Sequence, residues 1–100
     1  MVKEQVNTCK EALKMTLSAE YPSSNYSFDG YKEDAVCLQQ DNDNWIVYVG
    51  YRNKMDDMKV YSNIVEACLE MIRIITGGNN NKIKVLSDSF FSKIIASETA

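Results

Sequence analysis

Two apolar segments joined by a short polar stretch constrain the fold of this chain more than any other feature. The first, 34–40, carries apolar side chains on both faces, and the second, 45–52, is apolar or aromatic along its whole length. Such a segment is typical of a central β-strand. Between them, 41–44 reads Asp-Asn-Asp-Asn, residue types that tolerate left-handed backbone angles. The pattern predicts a β-hairpin.

Shorter segments on either side extend this hairpin into a larger sheet. A brief strand is predicted at 25–29, ending at Gly30, and another at 58–61 after a turn at 53–57. Three successive hairpin-like connections favour an antiparallel meander of three to four strands. Gly50, inside the long strand, indicates a bulge.

Segments with apolar residues at helical spacing precede and follow the predicted strands in the sequence. The pattern predicts an N-terminal helix at 2–19 and a long apolar helix at 63–76, capped by Ser62 and packed on the sheet. Glu70 is spaced to pair with Arg73 one turn later. After Gly77 and Gly78, residues 79–86 are expected to form a linker to a short C-terminal helix that begins near Ser87. The 100 residues are thus predicted to form a single α+β domain, 1–100.

The net charge of −3 conceals an uneven distribution. Residues 20–70 contain ten acidic and four basic side chains, whereas both ends of the chain are mildly basic. An acidic middle argues against nucleic acid, since phosphate binding requires Lys and Arg patches. It favours a basic protein partner, because carboxylates raise the rate of association with one. A solvated acidic surface that serves only solubility is the simpler interpretation.

The residues that usually carry catalysis are scarce. The sequence contains no histidine, which removes the commonest general base and metal ligand. Residues 41–52 begin like a calcium loop, but Trp45 replaces an oxygen ligand and Arg52 replaces the bidentate Glu. We therefore expect a protein that is not an enzyme and holds no metal or cofactor.

The three cysteines indicate a reducing compartment. Cys9, Cys37 and Cys68 are far apart and lie among apolar residues, as buried thiols do. The N-terminus has no apolar signal core, and no apolar run is long enough to span a bilayer. We expect a cytoplasmic protein without membrane contact.

Four short segments resemble a known family. They are YSFDGYKEDAVC at 26–37, WIVY at 45–48, GYRNK at 50–54 and ACLE at 67–70. They resemble small bacterial immunity proteins encoded beside polymorphic or contact-dependent growth inhibition toxins. The resemblance covers about residues 20–75. It implies a compact cytoplasmic α+β protein that binds a cognate toxin domain, blocks its active site or substrate surface, and has no catalytic residues.

Acidic turns and neighbouring tyrosines are the candidate contacts with such a toxin. Many of these toxins are nucleases with basic clefts, which carboxylates can occupy. In a meander, the turns at 30 and 53–57 share one end of the sheet and the turn at 41–44 lies at the other. The first end, with Glu33, Asp34, Asp56 and Asp57, is the stronger candidate. The complete predicted set is Asp29, Tyr31, Glu33, Asp34, Asp41, Asp43, Tyr51, Asp56 and Asp57, with Tyr31 and Tyr51 as aromatic anchors.

Two other functions fit the same residues. One is a homodimeric structural or regulatory module joined through the second helix or through the Phe90-Phe91 segment. The other is a sensor that binds a small ligand on the aromatic face of the sheet.

Overall fold

A computed structural model describes residues 3–99 and places a layer of helices on one face of a four-stranded sheet. The chain is α+β, as the sequence predicts. The elements follow one another as α1 (Lys3–Ser18), β1 (Tyr26–Ser27), β2 (Val36–Asp41), β3 (Asn44–Tyr51), β4 (Lys54–Tyr61), α2 (Ile64–Ile75) and α3 (Asn80–Thr99), with one 3-10 turn at Ser23–Asn25 before β1.

The sheet is mixed. Its strand order is β1-β2-β3-β4, and β2, β3 and β4 form two antiparallel hairpins, but β1 runs parallel to β2. The predicted antiparallel meander is therefore wrong at its first connection. Two adjacent parallel strands need a crossover, so residues 28–35 must return across the sheet before β2 begins. We call residues 28–35 the crossover loop.

The connection between β3 and β4 is tighter than predicted. Arg52 and Asn53 both have positive φ, 51° and 64°, the backbone of a two-residue type I′ turn. The turn expected at 53–57 is wrong, because residues from Lys54 onward already pair with β3. The bulge expected at Gly50 is wrong, because Gly50 pairs regularly with Met55. A bulge lies instead on β4 at Asp57 (φ 53°), where the register shifts opposite Tyr48.

The core lies between the helices and one face of the sheet. Its central residues come from α2, whose Ile64, Ala67, Cys68, Met71 and Ile72 are fully buried. The other members are Cys9, Ala12, Leu13, Leu17, Tyr26, Val36, Leu38, Trp45, Val47, Leu86 and Phe90. A smaller cluster on the opposite face of the sheet, which we call the outer face, consists of Ala35, Cys37, Ile46 and Tyr48.

The first two helices lie close to their predicted bounds, and the third does not. The cap of α2 is Asn63, one residue after the predicted Ser62, and its side chain accepts the Val65 N–H at 2.7 Å. The expected linker at 79–86 is wrong, because α3 spans 20 residues and is the longest helix described. The Asn79 side chain accepts the Lys82 N–H at 3.1 Å, which starts α3 early.

Candidate functional site

The crossover loop is fixed against the outer face of the sheet. The ring of Tyr31 lies over that of Tyr48, with 6.3 Å between centroids and 19° between planes. Asp34 donates its N–H to the Gly50 carbonyl at 2.8 Å. The Lys32 carbonyl passes so close to Gly50 that a Cβ there would lie 2.1 Å from its oxygen. The close approach of the crossover loop therefore explains why position 50 is a glycine.

The end of the crossover loop binds the β3–β4 turn through one carboxylate. Glu33 accepts the backbone N–H groups of Arg52 and Asn53 and the hydroxyl of Tyr31, and that hydroxyl also accepts the Asn53 N–H at 2.8 Å. We call these four residues the Glu33 clamp. The Tyr31 hydrogen bond, followed by the two backbone donors, lowers the pKa of Glu33. Partial burial and the bond to Glu33 raise the pKa of Tyr31.

The Glu33 clamp changes the roles expected of two predicted contacts. Both Glu33 and Tyr31 are exposed, but their polar atoms already bind the chain itself. A carboxylate satisfied by two backbone donors loses those bonds if it turns toward a partner. Glu33 and Tyr31 therefore support the surface and set the positions of its neighbours.

Three predicted carboxylates remain available between this end of the sheet and the middle of β4. Asp34 lies on the β2 side of β3, next to Gly50, and Asp56 lies on the β4 side, opposite Val49. Two strand spacings separate these backbone positions, about 10 Å. Asp57 follows in β4. All three side chains are exposed, and none forms an ion pair with another described residue. The charge of Asp57 nevertheless acts on the Arg73 guanidinium and contributes to its raised pKa. We call Asp34, Asp56 and Asp57 the acidic end.

The other predicted residues are distributed around the molecule. Asp29 lies beside β1, where its N–H donates to the Ser27 hydroxyl at 3.3 Å. Asp41 and Asp43 lie at the β2–β3 turn, at the opposite end of the sheet. Tyr51 is 39% exposed, and the Arg52 guanidinium lies over its ring at 5.1 Å. The nine predicted contacts thus do not form one continuous surface.

The buried carboxylate of Glu70 joins the sheet to α2. The sequence predicted its contact with Arg73 but not its contact with Lys59. Glu70 accepts hydrogen bonds from Arg73 Nε at 2.9 Å and from Lys59 Nζ at 3.1 Å. These partners, Arg73 above all, lower the pKa of Glu70 from 4.5 to about 2 despite its burial. The Arg73 contact follows from helical spacing. Lys59 lies in β4, and only the packing of α2 on the sheet brings it there.

The cysteines are interior residues. Cys9, Cys37 and Cys68 are all buried, and burial raises the pKa of Cys37 and of Cys68. A raised pKa leaves little of the thiolate that a nucleophile or metal ligand requires. No cluster of three or more metal-ligating side chains occurs in the part of the chain that the structure describes. Within the same part, no helix is both long and apolar enough to cross a membrane.

The surfaces expected for dimerisation and for a small ligand are largely covered. The apolar residues of α2 and Phe90 lie in the core, although Phe91 is partly exposed. On the outer face of the sheet, the crossover loop covers Tyr48 completely. A cavity of about 280 Å³ lies between the end of α1 and the start of α3, and it is lined by Glu20, Asn81, Lys82, Val85 and Leu86.

No protein-family model, curated protein or solved structure matches this chain. The arguments that follow therefore depend on the residues and the geometry described above.

Proposed function

We propose that this protein is an immunity protein, which binds a basic bacterial toxin domain and neutralises it by covering its active site or substrate surface. The observation that supports the proposal most is the acidic end, three exposed carboxylates of which none forms an ion pair in the described structure. The crossover loop, fixed by the Glu33 clamp, carries Asp34, and β4 carries Asp56 and Asp57. The resemblance of residues 20–75 to immunity proteins points to the same class of partner.

The physical advantage of this arrangement is a charged surface that needs little ordering on binding. Asp34 follows the Glu33 clamp directly, and its own N–H is held by Gly50. Association loses less free energy to side-chain and loop ordering when a surface is rigid beforehand. Negative potential on such a surface steers a basic partner into contact and raises the association rate. A toxin that cleaves nucleic acid must carry such basic charge.

The first step of the test is to identify the toxin. We expect the gene beside the one for this protein to encode a small basic domain at the end of a long secreted protein. That domain, produced alone in bacteria, should stop growth, and co-production of this protein should restore it. A neighbouring domain that is harmless, or toxic but unaffected by this protein, would contradict the proposal.

The second step locates the contact. The double variant Asp34→Asn with Asp57→Asn removes two charges of the acidic end, and asparagine tolerates the positive φ at both positions, 58° and 53°. The matched control is Asp41→Asn with Asp43→Asn, which removes the same charge at the opposite end. Stopped-flow association with the toxin domain, measured at low and high salt, compares the two.

We expect the first variant to associate about tenfold more slowly at low salt and to lose most of its salt dependence, because steering depends on those charges. The control should stay within about twofold of the unmodified protein. Equal slowing by both variants would mean that overall charge, and not the acidic end, drives association.

A further inference from the structure

The strand β4 forms an open edge of the sheet. It is eight residues long, and nothing among the described residues pairs with its outer side. Its side chains are exposed from Lys54 to Val60, including Met55 at 39%, Met58 at 52% and Val60 at 55%. An edge strand of this length presents a row of backbone N–H and C=O groups to another chain.

The bulge at Asp57 arranges the side chains of β4 in an unusual way. Met55 lies opposite Gly50, and Val60 lies opposite Ile46. Residues five positions apart in a regular strand point to opposite faces, but the bulge between them places both Met55 and Val60 on the outer face of the sheet. On the helix face, by the same reasoning, lie Asp56 and Lys59, which pair with Val49 and Val47. The strand therefore has one apolar face and one face with both signs of charge.

This arrangement is complementary to itself. In an antiparallel pair, directly opposed residues share a face. This condition is satisfied when two copies are related by a twofold axis that is perpendicular to the sheet and passes between Asp57 and Met58. Met55 of each copy then lies opposite Val60 of the other, and Asp56 of each copy lies opposite Lys59 of the other. Sliding the second copy by two residues would instead place Lys54 against Lys59 and Asp56 against Asp57. Like charges opposed in this way destabilise pairing.

We propose that β4 is a homodimer contact, at which two copies of this chain join their sheets edge to edge around that axis. The bulge leaves two regular segments in each copy, 54–56 and 59–61, and each pairs with the other segment of the second copy. Lys59 contacts Glu70 at 3.1 Å, and an ammonium group has three hydrogens, so it can reach Asp56 of the second copy as well. A second copy carries the complementary pattern by symmetry, with opposite charges on one face and apolar side chains on the other. An unrelated strand would have this pattern only by chance, so the occupant we propose is a second copy.

The homodimer engages Asp56 and is centred beside Asp57, both of which belong to the acidic end, so dimerisation and toxin binding compete for this part of the surface. The test of the homodimer needs no toxin and uses the purified full-length protein alone. Sedimentation velocity from micromolar to millimolar concentration should show a monomer converting to a dimer. Asp56→Lys brings a second ammonium group against Lys59 twice in the homodimer, and we expect it to weaken dimerisation at least about tenfold. The matched control is Asp43→Lys, the same charge change at the far end of the sheet, which should leave dimerisation unchanged.

A charge exchange makes the test specific for the proposed register. Lys59→Glu alone should also stay monomeric, but an equimolar mixture with Asp56→Lys should form a heterodimer, because each opposed pair then joins opposite charges. Circular dichroism checks that Lys59→Glu, which loses the contact to Glu70, still folds. If it does not, hydrogen exchange of the unmodified protein at two concentrations serves instead, with slower exchange expected at 54–61 only.

Two results would overturn the proposal. One is a protein that stays monomeric throughout the concentration range. The other is a dimer whose stability is the same in Asp56→Lys as in Asp43→Lys, or whose protection from exchange lies outside 54–61.

Discussion

The replacement Glu70→Gln tests how the carboxylate that joins α2 to β4 stabilises the fold. Glutamine keeps the size of the side chain and removes the charge that Arg73 and Lys59 share. The pKa of Glu70 falls from 4.5 to about 2 on folding. At about 1.36 kcal/mol per pH unit, this difference in pKa corresponds to a free energy of about 3 kcal/mol.

The measured loss should be smaller than this value. The Lys59 and Arg73 side chains are about half exposed, so water and salt screen their attraction to Glu70. We therefore expect Glu70→Gln to lower the free energy of unfolding by about 2 kcal/mol at pH 7. Urea denaturation followed by circular dichroism measures it. The control Glu66→Gln, an exposed position one turn earlier in α2, should cost less than about 1 kcal/mol.

The dependence on pH has a definite sign. Because folding lowers the pKa of Glu70, its contribution is fully present above pH 4.5 and is lost as the pH falls toward 2. The difference between the unmodified protein and Glu70→Gln should therefore shrink steadily over that interval. A loss at pH 7 no larger than that of Glu66→Gln, or a difference that does not change with pH, would refute the reasoning.

Three further changes test the loop and the core. Gly50→Ala should lower the free energy of unfolding by about 1–3 kcal/mol in urea denaturation, because its Cβ would meet the Lys32 carbonyl at 2.1 Å and displace the crossover loop; an unchanged midpoint would contradict this contact. Glu33→Ala should speed hydrogen exchange at the Arg52 and Asn53 amides, because it removes the carboxylate that accepts both. The Asp34 amide, which donates to the Gly50 carbonyl, should exchange at an unchanged rate and is the internal reference. The same two amides should exchange faster in the unmodified protein at acid pH, relative to the intrinsic rate, since folding lowers the pKa of Glu33 and its protonation removes the acceptor. Phe90→Ala should cost about 3–5 kcal/mol and Phe91→Ala less than half as much, because Phe90 is fully buried and Phe91 is 40% exposed; equal costs would show that α3 does not pack as described.

Local patterns in the sequence were sufficient for much of the secondary structure. The β2–β3 hairpin follows from two apolar runs around an Asp/Asn turn, and α1 and α2 follow from the helical spacing of apolar residues. These features depend on neighbours within a few positions of each other. For the same reason, the contact of Glu70 with Arg73 was predictable, whereas its contact with Lys59 was not.

Tertiary packing decided the direction of β1, the length of α3 and the roles of the carboxylates. No local pattern shows that β1 runs parallel to β2, because direction depends on how the crossover loop packs over Tyr48 and Gly50. The asparagines after Gly78 favour a loop by propensity, but the helix extends through them because Leu86 and Phe90 are buried in the core. Glu33 and Asp34 are adjacent in sequence, yet only Glu33 meets the backbone donors of the β3–β4 turn. Charge is a property of the sequence, but which charges remain available to a partner depends on contacts between residues that are distant along the chain.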